Sequence, residues 1–316
     1  MTASINGLSC AVSRSGISSL QPLTTILDYI RWGASRFNEA GLFFGHGTDN
    51  AIDEAAALVL HALHLPQDLH ASWFQSRLTE EERDRVVELI RQRIEKRLPL
   101  PYLIGEAWFA GLKFAVNPHV LIPRSPMAEL IENGFSPWLD PERINRVLDL
   151  CCGSGCIGIA TAVSLPGCQV DLVDISADAL AVCEENIQTH GLAGQAHAIQ
   201  SDLFQSLGDQ RYDLIISNPP YVGEEEMALL PPEYRHEPAL ALHAEEDGLQ
   251  IVKRILREAP KYLAPQGILV VEVGNSATLL QEIYPDIPFL WLEFERGGSG
   301  VFLLSAGDLA QYANNI

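Results

Sequence analysis

The four residues Asn218-Pro219-Pro220-Tyr221 carry the strongest chemical signal in the chain. They close the apolar run from Tyr212 to Ser217, which reads as a buried strand. Neither proline can donate to a β-ladder, so the strand must stop there. An amide side chain and bare carbonyls are thereby left beside a Tyr ring at the carboxyl end of a sheet, where open α/β sheets bind ligands. Such acceptors suit an N–H group on a planar, weakly basic nitrogen. A plain strand-ending turn also uses Asn-Pro, so the motif gains weight only with what accompanies it.

Three further strand ends do accompany it. The run from Val147 to Leu150 leads into Asp149-Leu-Cys151-Cys-Gly153-Ser-Gly155-Cys-Ile-Gly158. Glycines at such a strand-to-helix turn let backbone approach a ligand closely. Residues 153 to 158 spell GxGxxG, which also opens a nicotinamide site, but alone that pattern is weak. Asp149 would repel a pyrophosphate, whereas a carboxylate there can accept hydrogen bonds around a methionine ammonium group. That favours S-adenosylmethionine over a dinucleotide. The second strand ends at Asp174-Ile175, placing an acid where it can grip both ribose hydroxyls. The third ends Ser201-Asp202-Leu203-Phe204, offering a carboxylate to an adenine amino group and apolar side chains to its ring; Asp202 as a helix N-cap is the plainer alternative.

These ends require a parallel α/β sheet to hold them. Short apolar runs (147–150, 170–173, 197–200, 212–217, 268–273) alternate with helix candidates near Gly155, Ala177, Glu245 and Ser276. The runs 289–294 and 301–304 flank Gly297-Gly-Ser-Gly300 with no room for a helix, so they must pair antiparallel. A mostly parallel sheet finishing in such a hairpin matches many S-adenosylmethionine-dependent methyltransferases. Upstream, residues 23–39, 53–63 and a helix opened by the capping box Thr79–Glu82 read as an all-helical part. His61 and His64 sit three apart there without a carboxylate or Cys to complete a metal set. Residues 106–116 read as a hairpin connecting the two parts, followed by Val120-Leu-Ile-Pro-Arg124 and a helix from about Pro126.

Bulk properties narrow the partners. A length of 316 residues implies about two domains. The formal charge of −20 argues against gripping a nucleic-acid backbone and favours a basic partner. No run reaches the roughly 20 apolar residues of a membrane span, and residues 1–20 lack the parts of a signal peptide and are expected to be disordered. The six cysteines include no CxxC pair, so buried thiols are expected rather than zinc or disulfides, and with them a cytoplasmic location and no metal. From residue 217 onward there are 15 acids against six Lys or Arg. The loop after the Asn-Pro-Pro-Tyr motif contributes Glu224, Glu225, Glu226, Glu233 and Glu237, which reads as an acidic rim drawing a basic substrate or, more plainly, as a solvated loop.

Taken together, residues 147–158 and Asn218–Tyr221, with Leu121-Ile-Pro-Arg124 and Val271-Glu-Val-Gly274, resemble the protein-(glutamine-N5) methyltransferases. The linker Pro123-Arg124-Ser125-Pro126, the stretches Arg36-Phe37-Asn38 and Gly45-His46-Gly47-Thr48-Asp49, and Cys151 in a glycine's place resemble the branch acting on a large-subunit ribosomal protein, the third. The related branch modifies peptide-chain release factors and is the alternative, with adenine-N6 methylation of nucleic acid as a third reading. The resemblance implies a Rossmann-like class I methyltransferase domain (126–316), a helical substrate-recognition domain (21–98) and a β-hairpin linker (99–125). It further implies S-adenosyl-L-methionine as cofactor, held by Arg124, Asp149, Cys151, Gly153, Gly155, Asp174, Ile175, Asp202, Leu203 and Asn218. Pro219 and Tyr221 would act with Asn218 in catalysis, and Pro220 would join them in holding the substrate. In the implied mechanism the Asn218 side-chain oxygen and the Pro219 carbonyl orient the glutamine amide nitrogen, and Tyr221 packs against the amide or near the sulfonium.

Overall fold

A computed structural model of the protein describes residues 23–244 and 247–312. The expectation for residues 1–20 lies outside them, as does Glu245, near which a helix was expected to begin. The described chain forms two compact units, one of residues 23–42 and 48–96 and one of residues 43–47 and 97–312.

The first unit is helical: α1 (Ile26–Glu39), α2 (Ala51–Ala62) and α3 (Glu80–Lys96). Its helices start where the sequence supplies caps. The Thr25 side chain accepts from the Asp28 N–H, and Asp28 accepts from the Thr25 N–H in return. Thr79 and Glu82 form the same reciprocal pair ahead of α3, as the capping box predicts. Between α2 and α3 lies a buried ion pair, with Arg93 Nε 2.6 Å from Glu54 Oε1. Thr48 Oγ1 donates to the other Glu54 oxygen at 3.1 Å.

The second unit opens with α4 (Leu100–Ile104) and the predicted hairpin, β1 (Glu106–Phe109) antiparallel to β2 (Leu112–Ala115). The hairpin belongs to this unit rather than standing free between two domains. Asn186, fully buried, holds it there: its side chain pairs with both the N–H and the C=O of Ala115, at 2.7 and 3.0 Å. After α5 (Met127–Glu132) come β3 (Arg146–Leu150), α6 (Cys156–Ser164), β4 (Gln169–Asp174), α7 (Ala177–Thr189), β5 (Ala196–Gln200) and β6 (Tyr212–Ser217). Then follow α8 (Glu224–Leu229), α9 (Ala239–Leu242), α10 (Gln250–Glu258), β7 (Leu263–Glu272), α11 (Ala277–Ile283), β8 (Leu290–Trp291), β9 (Val301–Ser305) and α12 (Ala306–Gln311).

The seven-stranded sheet has the order β5-β4-β3-β6-β7-β9-β8. Five strands are parallel, while β9 runs antiparallel to both β7 and β8. The predicted terminal hairpin is therefore present, but its second strand inserts between β7 and β8. Strand residues alternate between two apolar layers. Val147, Leu172, Leu214 and Val270 face one core with α6 and α7 residues, and Leu148, Val173, Ile215 and Leu269 face the other with α10 residues. Burial on both faces explains why these strands read as continuous apolar runs. From β3 the chain winds outward through β4 to β5, then returns to place β6 on the other side of β3, which opens a crevice at the strands' carboxyl ends.

Removing Glu54 takes the carboxylate from the Nε of the buried Arg93 guanidinium. Glu54→Ala is expected to lower the opening free energy of α2 and α3 by about 3–5 kcal/mol, read by native-state hydrogen exchange. A loss under about 1 kcal/mol, the range of an exposed pair, would show that the pair does not hold these helices together.

Candidate active site

At the carboxyl edge, Leu150 stands opposite Ser217, so Cys151 and Asn218 leave adjacent strands side by side. Ser217 Oγ donates to the Leu150 carbonyl at 2.9 Å, tying the two ends. Above them opens a cavity of about 440 Å³, within the range of small-molecule sites. Its walls include Cys151 and Gly153 from the turn after β3, Asp174 and Ile175 after β4, and Asp202 and Leu203 after β5. Asn218 and Pro220 after β6 and Arg124 from the linker complete the predicted part of the lining, and Ser125, not among the predicted site residues, lies beside Arg124.

Two carboxylates of the cavity, Asp174 and Asp202, are held by named donors. Asp174 Oδ2 accepts from Gly153 N–H and Oδ1 from Ser176 N–H, both at 2.9 Å, so the acid also shapes the glycine turn. Burial pushes its carboxyl above the usual range, against the pull of these backbone donors. Asp202 pairs with Arg254 Nη1 at 2.9 Å and with the Gln205 amide at 2.9 Å. Two non-glycine residues at strand tips, Cys151 (φ +59°) and Leu203 (φ +50°), sit in the left-handed region. That conformation, uncommon for side-chain-bearing residues, is concentrated at functional sites. It also gives a reason for the likeness of the Cys151 position to a glycine position.

Several sequence expectations change. Asp149, read as a contact to a methionine ammonium group, does not line the cavity but is 1 % exposed behind the turn. Its Oδ2 accepts the Gly158 N–H at 2.8 Å, so it caps the start of α6. A Cβ on Gly158 would come within 2.9 Å of that oxygen and 2.7 Å of Leu172, so the third glycine of the GxGxxG pattern serves helix–strand packing. Gly155 is the left-handed N-cap of α6 and likewise lies outside the lining. Pro219 is buried, and neither it nor Tyr221 lines the cavity. The Tyr221 hydroxyl instead donates to Glu272 at 2.8 Å. Arg124 does line the cavity, yet its guanidinium is committed to Glu237 through two bonds of 2.6 and 2.8 Å.

The acidic rim is also smaller than the sequence suggests. Glu233 and Glu237 are 0 % and 5 % exposed. Glu233 accepts from the Phe43 N–H at 3.0 Å and pairs with Arg97 at 2.8 Å. Besides Arg124, Glu237 accepts the Ile122 N–H at 3.0 Å, and His46 lies 3.6 Å away. Burial pushes the Glu237 carboxyl up, but His46 and Arg124 outweigh it and hold it down at about 2. At 3.6 Å the His46 contact is too long for a full hydrogen bond, so the Arg124 fork is the stronger hold. Glu224 and Glu225 remain exposed, with Glu226 half-buried.

Residues that sequence reasoning missed come mainly from distant segments: Ile251 and Arg254 on α10, Leu240 on α9, and His119 on the linker all line the cavity. Arg254 follows Asp202 by 52 positions, and no local spacing links them. The amphipathic pattern of α10 shows a helix but not which residue meets an acid from β5.

The buried Asp149 yields a pH prediction. Burial raises its carboxyl to about 7, above the roughly 3.9 of an unfolded chain, although Gly158 N–H pulls the other way. The folded state thus holds a proton that the unfolded state has lost, so this group's share of stability falls as pH rises from about 4 to about 7. Asp149→Asn is expected to flatten the decline in Tm of the ligand-free protein across that window. An equal slope in variant and parent would rule the contribution out.

Comparison with known proteins fits this architecture. Residues 28–105 match the model of the "PrmC N-terminal domain", and residues 135–230 match that of the "Methyltransferase small domain". A ribosomal protein uL3 glutamine methyltransferase from Francisella tularensis is 50 % identical over 291 residues, covering 92 % of this chain and 93 % of the relative. Its counterpart from Xanthomonas campestris is 50 % identical over 295 residues, covering 93 % and 95 %. Among solved structures, the hMettl16 catalytic domain in complex with the MAT2A 3'UTR hairpin 6 aligns with TM-score 0.50 at 18 % identity, covering 75 % of this chain and 86 % of that one, a likeness of fold. On its sequence, along nearly its whole length, the chain belongs to the family of ribosomal protein uL3 glutamine methyltransferases.

Proposed function

We infer that the protein transfers a methyl group from S-adenosylmethionine to the side-chain amide nitrogen of a glutamine in ribosomal protein uL3. The observation that carries this reading is the position of Asn218, which directly follows β6 and opens onto the cavity beside the turn after β3. The lining fits the donor in kind: an acid after β4 for ribose hydroxyls, an apolar Leu203 and an acid after β5 for adenine, and close-approach backbone at Gly153. S-adenosylmethionine supplies the methyl group as an electrophile on a sulfonium centre.

The protein's own task is to present a poor nucleophile. A glutamine amide nitrogen has a delocalised lone pair. An N–H group held by the Asn218 oxygen, which opens onto the cavity, would orient that nitrogen and favour pyramidal geometry as charge develops. The amide proton becomes acidic as the nitrogen is alkylated, so orientation matters more than a strong base. The net charge of −20 suits a basic ribosomal protein better than a nucleic-acid backbone, and the exposed Glu224 and Glu225 beside the motif lie where such a substrate would approach. Such a substrate is made in the cytoplasm, where we place the reaction.

Asn218→Ala is expected to lower methylation of purified uL3 at least about 100-fold while leaving S-adenosylhomocysteine affinity within about tenfold. Methyl incorporation by mass spectrometry and binding by calorimetry would check the two halves. Undiminished transfer would remove Asn218 from the mechanism. Transfer by the parent enzyme to a release factor but not to uL3 would redirect the substrate assignment.

A further inference from the structure

The carboxylate of Glu272 is used by no step above, yet it is buried beside the acceptor motif. Glu272 ends β7, the neighbour of β6, where Ser217 stands opposite Val271; Glu272 is therefore next in line with Asn218. It is 6 % exposed. A buried carboxylate is costly unless hydrogen-bonded donors surround it. Here two hydroxyls do so: Tyr221 Oη donates to Oε1 at 2.8 Å and Ser125 Oγ to Oε2 at 2.5 Å.

These two donors come from the two segments that define the site. Tyr221 closes the Asn-Pro-Pro-Tyr motif, and Ser125 follows Arg124 on the linker wall of the cavity. Both are fastened at a second point. Ser276 Oγ donates to the Tyr221 carbonyl at 3.2 Å, and the Tyr221 ring lies so close to Gly274 that a Cβ there would come within 2.6 Å of Cε2. On the other side Ser125 Oγ accepts the Met127 N–H at 3.2 Å. Rotation of the Tyr221 ring or a shift of the linker would each break a bond to the same carboxylate.

We propose that Glu272 is a positioning residue for methyl transfer, its carboxylate joining Tyr221 of the acceptor motif to Ser125 of the linker so that Asn218 keeps its place at the cavity edge. Glu272 touches neither the cavity nor the reacting atoms and acts through its two partners. The inference rests on the acceptor role assigned to Asn218.

The test uses the full-length enzyme, purified uL3 and S-adenosylmethionine, with Glu272→Gln, Tyr221→Phe and their double variant. Glu272→Gln is expected to lower kcat about 10- to 100-fold, the scale of a small displacement at a reacting centre. The KM for S-adenosylmethionine should stay within about threefold, because the cavity lining is unaltered. Glu272→Gln leaves one acceptor oxygen for two hydroxyl donors and Tyr221→Phe removes one of those donors, so both changes disturb one bonded unit and the double variant should be no slower than the worse single. A parent-like kcat for Glu272→Gln, or losses that multiply in the double variant, would overturn the proposal. If Glu272→Gln fails to fold by circular dichroism, Ser125→Ala and Tyr221→Phe replace it: coupled losses in kcat support the shared carboxylate, and independent losses refute it. A parent enzyme that does not methylate uL3 would fail the functional reading instead, before any variant is compared.

Discussion

Parallel pairing of β3 with β6 is the constraint on which the site depends. With Leu150 opposite Ser217, the turn after β3 and the motif after β6 emerge at one level of one edge. Had the chain placed β6 beyond β5, a donor turn and an acceptor motif would lie several strand spacings of about 4.8 Å apart. The reversal of winding at β3 is thus both the opening of the crevice and what brings the turn after β3 beside the Asn-Pro-Pro-Tyr motif. Everything else at the edge adjusts distances of a few ångströms around that juxtaposition.

Charge at this edge is managed pair by pair. Asp149 faces a helix start, Asp174 faces two backbone N–H groups, Asp202 faces Arg254, Glu237 faces Arg124, and Glu272 faces two hydroxyls. A protein of net charge −20 can keep such a cluster compact only by giving each buried acid its own donors. The partners also differ in consequence. Burial pushes Asp149, Asp174 and Glu272 up, whereas the fork from Arg124 and the nearby His46 keep Glu237 at about 2 despite burial. Glu237 is therefore a fixed charge that locks the linker to the loop after the motif, and it has no share in attracting a substrate.

How much of this was legible in the sequence follows from whether a feature is local. The strand Tyr212–Ser217 and its abrupt end could be read because two prolines act on their own neighbours. The capping box at Thr79 and the hairpin of β1 and β2 were local in the same sense. Asp174 and Asp202 were found because strand tips in a parallel sheet point to one edge whatever the rest of the chain does. At Asp149, position in a motif does not say which way a side chain faces: the pleat turns it behind the turn, onto Gly158. Glu233 and Glu237 misled for a related reason. A run of acids in a loop looks solvated until Arg97 and Arg124, more than 100 residues away, are brought against it. Arg254 gave no signal, and Ser125 and Glu272, though part of motifs that carry the resemblance, gave none of their pairing, because the partners lie 52, 147 and 51 positions away.

The backbone at Cys151 and Leu203 shows what this arrangement demands of the chain. Each holds a left-handed conformation that costs of order 1–2 kcal/mol for a residue with a Cβ. Such strain persists only where surrounding contacts over-determine it. At Cys151 the next residue's N–H donates to the Val173 carbonyl at 3.0 Å, and Asp174 holds Gly153 two positions on. At Leu203 the preceding Asp202 is gripped by Arg254 and Gln205. Beyond the acceptor role proposed for them, Asp174 and Asp202 therefore hold the cavity floor in shape. A change that neutralises either acid alters the backbone around the site as well as the charge within it, so a loss of cofactor affinity in such a variant reports on both.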